Sequence, residues 1–326
     1  MRELTYASAI NDALHQILEH YDHAFLIGQG VTSPWYVGTT TQGLLERFGD
    51  QRIIDTPVSE CGITGVAVGA ALAGLHPIVE HPRMDFMYYA MDPIANHAAC
   101  WDFMFGEQLT VPMIIWAIIN RGGEQAAQHS QALHAIFTHI PGLKVVMPST
   151  PFDAKGLLIA SMKEKNPVVF IDDRWLYPLK GNVPEPMYDV PLGKGVIRRP
   201  GDDVTVIASS WMVHEALRAA ALVGKQGIDV EVIDVRSLKP LDDSLIFSSV
   251  EKTGRVIIAD GGWRTCGFAA EIAAQIAEQE FSLHLKAPVT RITLPDLPAP
   301  ASKFLELTYY KKESDIVSAI RKIMRK

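Results

Sequence analysis

The sequence predicts an α/β protein made of two parallel-sheet domains. Three observations carry that expectation. Short apolar runs bounded by turn residues alternate with longer segments of helical period, as the strands and crossover helices of a parallel sheet do. The alternation stops in a proline-rich stretch and then resumes. Finally, 326 residues, 48 % hydrophobic and 21 % charged, supply apolar material for two full cores.

The first series opens with a helix at Tyr6–Tyr21, a strand at Ala24–Gly28 and a helix at Gln42–Phe48. Strand Arg52–Pro57, helix Ile63–Ala73, strand His76–Glu80 and helix Tyr88–Phe105 follow. Strand Pro112–Ile119, helix Gln131–Thr138, strand Lys144–Met147, helix Pro151–Glu164 and strand Pro167–Ile171 complete it. Several helices open on a cap or a first-turn proline, as at Ser149-Thr150-Pro151: the hydroxyl satisfies a free N–H and proline lacks one. From about Leu176 to Asp203 the pattern breaks at Pro178, Pro184, Pro186, Pro191 and Pro200, which reads as a linker crossing a surface. The second series has strands at Val204–Ala208, Val230–Asp234, Arg255–Ala259 and Val289–Thr293. Its helices are Val213–Lys225, Asp243–Lys252, Phe268–Glu278 and Glu313–Ile323. The expected division is a domain over 1–180, a linker over 181–203 and a domain over 204–326.

Composition excludes several classes. A net charge of −7 leaves no electrostatic footprint for nucleic acid. The one basic cluster, Arg321, Lys322, Arg325 and Lys326, reads as a solvated helix end. Cys61, Cys100 and Cys266 are scattered, which argues against a disulfide framework or a zinc site and for a reducing compartment. The N-terminus has no signal pattern, and no apolar run reaches the roughly 20 residues of a membrane span. A cytoplasmic location is expected.

The common ligand motifs are missing: no phosphate loop, no Gly-x-Gly-x-x-Gly after a strand, no Gly-x-Ser-x-Gly elbow and no His-Glu-x-x-His. An α/β protein binds its ligand at the C-terminal ends of its strands. Either the ligand is unusual, then, or its anchors lie on another chain.

Three segments could carry chemistry. Asp55–Gly62 runs from a strand into a helix and places Glu60 where the helix dipole favours a carboxylate. A capping role is the plain alternative. The helix that follows is small and apolar (Gly62, Gly65, Ala67, Gly69, Ala70, Ala71), suited to close packing on another helix and to desolvating that carboxylate. Arg121–Gln131 follows an apolar strand and offers His129 as an acid or base; a surface or cap histidine is the alternative. His134 and His139 on the next helix read as structural. In His81–Asp92, Phe86, Tyr88 and Tyr89 could stack on a planar ligand, although ordinary packing suits the two tyrosines better. The aromatic, Met-rich helix from here to Phe105 reads as a subunit contact.

Together these segments resemble a known family. Arg52–Glu60, Gly65–Gly74, Ala127–Gln131 and Pro141–Val146 are similar to the β subunit of the thiamine-diphosphate-dependent component of 2-oxoacid dehydrogenase complexes. Asp234–Pro240, Asp260–Trp263 and Pro298–Pro300 continue the likeness in order, so it spans essentially the whole chain. The resemblance implies a transketolase-like pyrimidine-binding domain followed by a transketolase C-terminal domain. It also implies an α2β2 heterotetramer whose α subunit carries the Gly-Asp-Gly motif for Mg2+ and the diphosphate. This sequence has no Gly-Asp-Gly. Glu60 matches the glutamate that hydrogen-bonds the cofactor's aminopyrimidine and favours its imino tautomer, which then removes the thiazolium C2 proton. Val58 and Phe86 match residues of the cofactor pocket. His129 matches a histidine that assists acyl transfer to a lipoyl group, on a lipoyl acyltransferase core. Asp92 matches an acid of a proton path between active sites. Asn166 falls where relatives bind a structural K+.

Some residues depart from the family pattern. Gly28-Gln29-Gly30 replaces an acidic pair, His81-Pro82-Arg83-Met84-Asp85 replaces apolar or neutral residues, and Glu124 brings a charge near His129. These departures motivate a second expectation, a split transketolase-like enzyme that passes a two-carbon or acyl unit to a sugar or other small acceptor. A third is a non-catalytic partner for an α subunit, against which Glu60 and His129 both argue.

Overall fold

The apolar runs of the first series fold as strands of one parallel sheet. The computed structural model describes residues 1–325, the side chains of Pro34 and Trp35 aside; Lys326, the last of the basic tail, lies outside the described residues. The strands and helices in order are β1 (Arg2–Thr5), α1 (Tyr6–His20), β2 (Ala24–Gln29), α2 (Pro34–Val37), α3 (Leu44–Phe48), β3 (Ile53–Thr56), α4 (Glu60–Leu72) and β4 (His76–His81). Then come α5 (Trp101–Met104), β5 (Ile114–Ile119), α6 (His134–His139), β6 (Lys144–Val146), α7 (Pro151–Ser161), β7 (Val168–Asp173) and β8 (Lys180–Val183). The remainder are β9 (Val196–Arg199), β10 (Val204–Ala208), α8 (Trp211–Gly224), β11 (Val230–Asp234), β12 (Ser237–Lys239), α9 (Asp243–Thr253), β13 (Val256–Trp263), α10 (Phe268–Ala277), β14 (Thr290–Leu294), α11 (Lys303–Tyr309) and α12 (Glu313–Met324).

The chain divides into two units. The first takes in Met1–Arg121 and Ile136–Leu192, the second Gly122–Ala135 and everything from Gly193. In the first unit the parallel strands run in the order β6-β7-β5-β4-β2-β3. Strands β4, β5 and β7 are buried at every position, as parallel strands covered on both faces must be. The register sets Gly28 of β2 between Asp55 of β3 and Glu80 of β4. A Cβ at Gly28 would lie 2.7 Å from the Glu80 carbonyl oxygen and 2.9 Å from its Oε2, so only glycine fits.

Helix α1 starts where the Thr5 hydroxyl accepts the Ser8 N–H. It buries Tyr6, Ala9, Ile10, Ala13, Leu14, Ile17 and Leu18, the i, i+3, i+4 stripe of a one-sided helix. Each fully buried Ile or Leu contributes roughly 1.5–3 kcal/mol. Helix α7 opens on Thr150 and Pro151 as the sequence predicts. Its Lys155 is wholly buried; Nζ donates to the carbonyls of Pro184 (2.9 Å), Glu185 (3.1 Å) and Pro186 (3.1 Å) and pairs with Asp12 of α1 at 2.7 Å.

Two expectations need correction. Tyr88–Phe105 is not one helix: a 3-10 run at Met84–Ala90 leads into a π-helical run at Asp92–Ala98 and then into α5. Pro93 explains the break, since it has no N–H to donate and its ring crowds the carbonyl four residues back. The stretch 181–203 is not bare linker. Part of it forms β8, antiparallel to β1, and β9, antiparallel to β11. In addition, α4 starts at Glu60 rather than Ile63.

The second unit is built on a sheet ordered β14-β13-β10-β11-β9. Its core joins Val206, Val232 and Ile257 from the strands to Val213, Ala216, Ala220, Ile316 and Ile320 from α8 and α12. No helix among the described residues is long and apolar enough to cross a membrane.

Candidate active site

In the first unit, Glu60, Val58, Phe86 and Asp92 follow the C-terminal ends of β3 and β4, the edge where parallel sheets bind ligands. The turn after β2 is held by Asp55, which accepts the Gly30 N–H at 2.7 Å and the Thr32 hydroxyl. Val58 is exposed, with 68 % of its surface open. Glu60 is the first residue of α4 and is only 8 % exposed, and its carboxylate accepts no hydrogen bond among the described residues. The Thr64 hydroxyl donates to the Glu60 carbonyl at 2.7 Å and lies 3.2 Å from His81 Nε2. Burial lowers the His81 pKa to about 4, so the ring is neutral. Because the Thr64 proton is already committed, His81 donates through Nε2, leaving the buried Nδ1 without a partner.

Helix α4 has two unlike faces. Ile63, Thr64, Ala67, Val68 and Ala71 are buried, whereas Cys61, Gly62, Gly65, Val66 and Gly69 are exposed. Phe86 is half-buried in the 3-10 run. Asp92 is exposed and accepts the Asn96 side-chain N–H at 2.8 Å. Elsewhere in this unit, Asn166 donates to Asp102 Oδ2 at 2.7 Å, while the Oδ1 atoms of both residues are buried and unpartnered.

Sequence reasoning missed a buried acidic group on the same sheet. Glu80 is fully buried with both carboxyl oxygens unpartnered, and burial holds its pKa well above the usual carboxylate range. Asp172 of β7 accepts the Trp116 indole N–H and the Tyr177 hydroxyl, each at 3.1 Å. Burial pushes its pKa up to about 7 despite those hydrogen bonds and the charge of Arg174. The available signal was an acid inside an otherwise apolar run, as in Val79-Glu80 and Ile171-Asp172. A raised carboxyl pKa means the fold retains a proton that the unfolded chain releases near pH 4. Stability on this account therefore falls as pH rises from about 4 to about 7, at up to about 1.4 kcal/mol per unit. Asp172→Asn is expected to gain stability relative to the parent chain across that window. Paired thermal melts at pH 4 to 8 check it.

The second unit holds His129. The loop Gly122–Gln131 is left-handed at Gly122 (φ 73°), Gly123 (63°), Glu124 (62°) and Ala126 (62°). At Glu124 and Ala126 the Cβ makes that course cost about 1–2 kcal/mol each. The Gly122 N–H donates to the Tyr310 hydroxyl at 3.2 Å and the Glu124 N–H to Glu306 Oε1 at 3.0 Å. His129 is half-buried. Ser130, Gln131 and Ala132 line a narrow crevice with Trp263, Leu294 and Tyr309. Just beyond, the buried His134 places Nε2 2.9 Å from Asp260 Oδ1. Burial works to raise the Asp260 carboxyl, but His134 and the N–H groups of Gly262 and Ala269 outweigh it and hold it below the usual range. A Cβ at Gly262 would sit 2.9 Å from His134 Cε1.

Two known families match the chain in succession, the first match including residues 122–135 of the second unit. Residues 2–180 match the family described as transketolase, pyrimidine binding domain, and residues 193–314 match transketolase, C-terminal domain. This chain belongs to the transketolase family. Relatives of this transketolase-family chain span its whole length. It is 42 % identical to the acetoin:2,6-dichlorophenolindophenol oxidoreductase subunit beta of Bacillus subtilis, over 99 % of this chain and 98 % of the relative. It is 40 % identical to the pyruvate dehydrogenase E1 component subunit beta of Rickettsia conorii, over 98 % of each. A split gene transketolase, solved as an inactive beta4 tetramer, superposes with a TM-score of 0.82 over 99 % of both chains at 21 % identity, a likeness of fold. The expected fold class and the family resemblance are borne out.

Proposed function

We propose that this chain is the β subunit of a thiamine-diphosphate-dependent 2-oxoacid dehydrogenase, catalysing oxidative decarboxylation with acyl transfer to a lipoyl group. The observation that carries the reading is Glu60, a residue only 8 % exposed at the N-terminus of α4, whose carboxylate accepts no hydrogen bond among the described residues. It lies within the segment that matches the pyrimidine-binding domain. Such an acceptor suits a protonated ring nitrogen, so Glu60 fits the cofactor's aminopyrimidine. Thiamine diphosphate, when bound, supplies the carbanion chemistry that 2-oxoacid cleavage needs.

This chain's residues would orient the ring and move protons. Glu60 would hold a proton at the pyrimidine. Phe86 would cover one side of the ring and Val58 would line it. His129 would exchange a proton during acyl transfer. Asp92 would serve the proton path.

An α subunit would hold the diphosphate and Mg2+, since this sequence has no Gly-Asp-Gly. The open glycine face of α4 and the exposed Tyr89, Phe103 and Met104 support an α2β2 heterotetramer. Asn166 and Asp102, with free oxygens, would stand near a structural K+. Free, scattered cysteines support a cytoplasmic location, where a lipoyl acyltransferase core would be the acceptor.

Glu124 favours a second reading with the same cofactor. It puts an exposed charge in the His129 loop, which suits a sugar or other small polar acceptor better than a lipoyl arm. The test is a dye-reduction assay of the complex with pyruvate, branched-chain 2-oxoacids and acetoin, followed by acyl transfer to lipoamide. Thiamine-dependent turnover of a 2-oxoacid with transfer to lipoamide is expected. Turnover with transfer only to sugars would select the second reading, and no thiamine dependence would overturn both.

A further inference from the structure

The loop that carries His129 follows a course its own sequence does not favour. Four of the five residues Gly122–Ala126 are left-handed, and two of those four carry a Cβ. Such a run persists only where its surroundings over-determine it. Glu306 supplies that constraint from far along the chain. It is 7 % exposed, although Phe304, Leu305 and Leu307 on the same short helix α11 all face outward. Its carboxylate accepts the N–H of Glu124, at the strained position itself. A charged acceptor on a single N–H makes the stronger kind of hydrogen bond. Tyr310 pins the loop two residues earlier, and the His134–Asp260 pair pins the chain just after it. Between these points the His129 N–H turns back on the Ala126 carbonyl at 3.5 Å, so the place of His129 depends on the left-handed course of Ala126.

We propose that Glu306 is a positioning residue: by holding the Glu124 N–H it sets the strained course of the loop and with it the place of His129. The proposal rests on the reading of His129 as the residue that assists acyl transfer. Glu306 touches neither substrate nor cofactor in this scheme and acts through the loop backbone alone.

The test compares Glu306→Ala with Glu306→Gln, whose side-chain oxygen still accepts the N–H. Hydrogen exchange is followed by mass spectrometry on peptides covering 122–131, and acyl transfer to lipoamide is measured on the complex with its α subunit. In Glu306→Ala, exchange in that segment is expected to rise about tenfold while the rest of the second unit keeps its protection. Glu306→Gln should stay near the parent. Transfer by Glu306→Ala should fall toward that of His129→Ala at unchanged KM for the 2-oxoacid, and the double variant should be no slower than His129→Ala. Unchanged exchange over 122–131, or exchange that rises throughout the second unit, overturns the proposal. If the loop opens as expected but His129→Ala itself transfers at the parent rate, the clamp stands and the reading of His129 falls.

Discussion

Replacing Glu60 by alanine is expected to lower turnover of the assembled enzyme by about 10³-fold while leaving the fold intact, since a positioned acid or base contributes roughly 10²–10⁴ in rate. The two halves of this expectation have separate causes. Glu60 is buried, opens α4, and its side chain has no hydrogen-bond partner among the described residues. Deleting it therefore breaks no bond within the chain and forfeits only its attraction to the helix dipole, about 0.3–1 kcal/mol. All of its use lies in what binds there. Glu60→Gln should be nearly as slow, because an amide keeps the shape and loses the charge. Steady-state turnover with saturating thiamine diphosphate and Mg2+, alongside thermal melts, checks both halves. Full turnover in Glu60→Ala would remove the residue from the chemistry.

The largest effect on stability is expected at Lys155. Its ammonium fills a cage made of the Pro184, Glu185 and Pro186 carbonyls and the Asp12 carboxylate, with the Tyr188 ring 5.3 Å away. Lys155→Met keeps most of the stem and deletes the charge. The Pro184 and Pro186 carbonyls then lose this donor, the Glu185 carbonyl keeps the Gln16 side-chain N–H, and Asp12 keeps only Arg2 as a charged partner. Removing one side of a buried ion pair costs about 3–5 kcal/mol. The remaining Arg2 contact puts this case at about 3, or roughly 10 °C in melting temperature. The double variant Lys155→Met/Asp12→Asn should recover part of the loss, because it no longer leaves a carboxylate uncompensated. Melting curves of the three proteins decide it, and an unchanged midpoint in Lys155→Met would contradict the cage.

The contrast between Glu60 and Glu306 shows how far the sequence could be read. Val204–Ala208 and Val230–Asp234 are strands on the expected residues, since central parallel strands announce themselves as short unbroken apolar runs. β1, β8 and β9 were not legible: they are edge strands with mixed burial and no apolar run to mark them. Glu60 could be placed from local order, because it stands where a strand gives way to a helix. Glu306 could not, for it lies 182 residues from the amide it holds. His134 read as structural and is so in a definite way, but its partner Asp260 lies 126 residues further on. Pairings of that kind arise from tertiary folding and leave no periodic trace.

The central claim is that this chain is one half of a thiamine-dependent active site. Its most direct test is affinity isolation of the chain from its native source, with thiamine diphosphate and Mg2+ present, followed by mass spectrometry and a dye-reduction assay. The account predicts a co-purifying chain that carries the Gly-Asp-Gly motif, and thiamine-dependent dye reduction that is lost when the bait is Glu60→Ala. Isolation without such a chain, and with no thiamine-dependent activity, would contradict it.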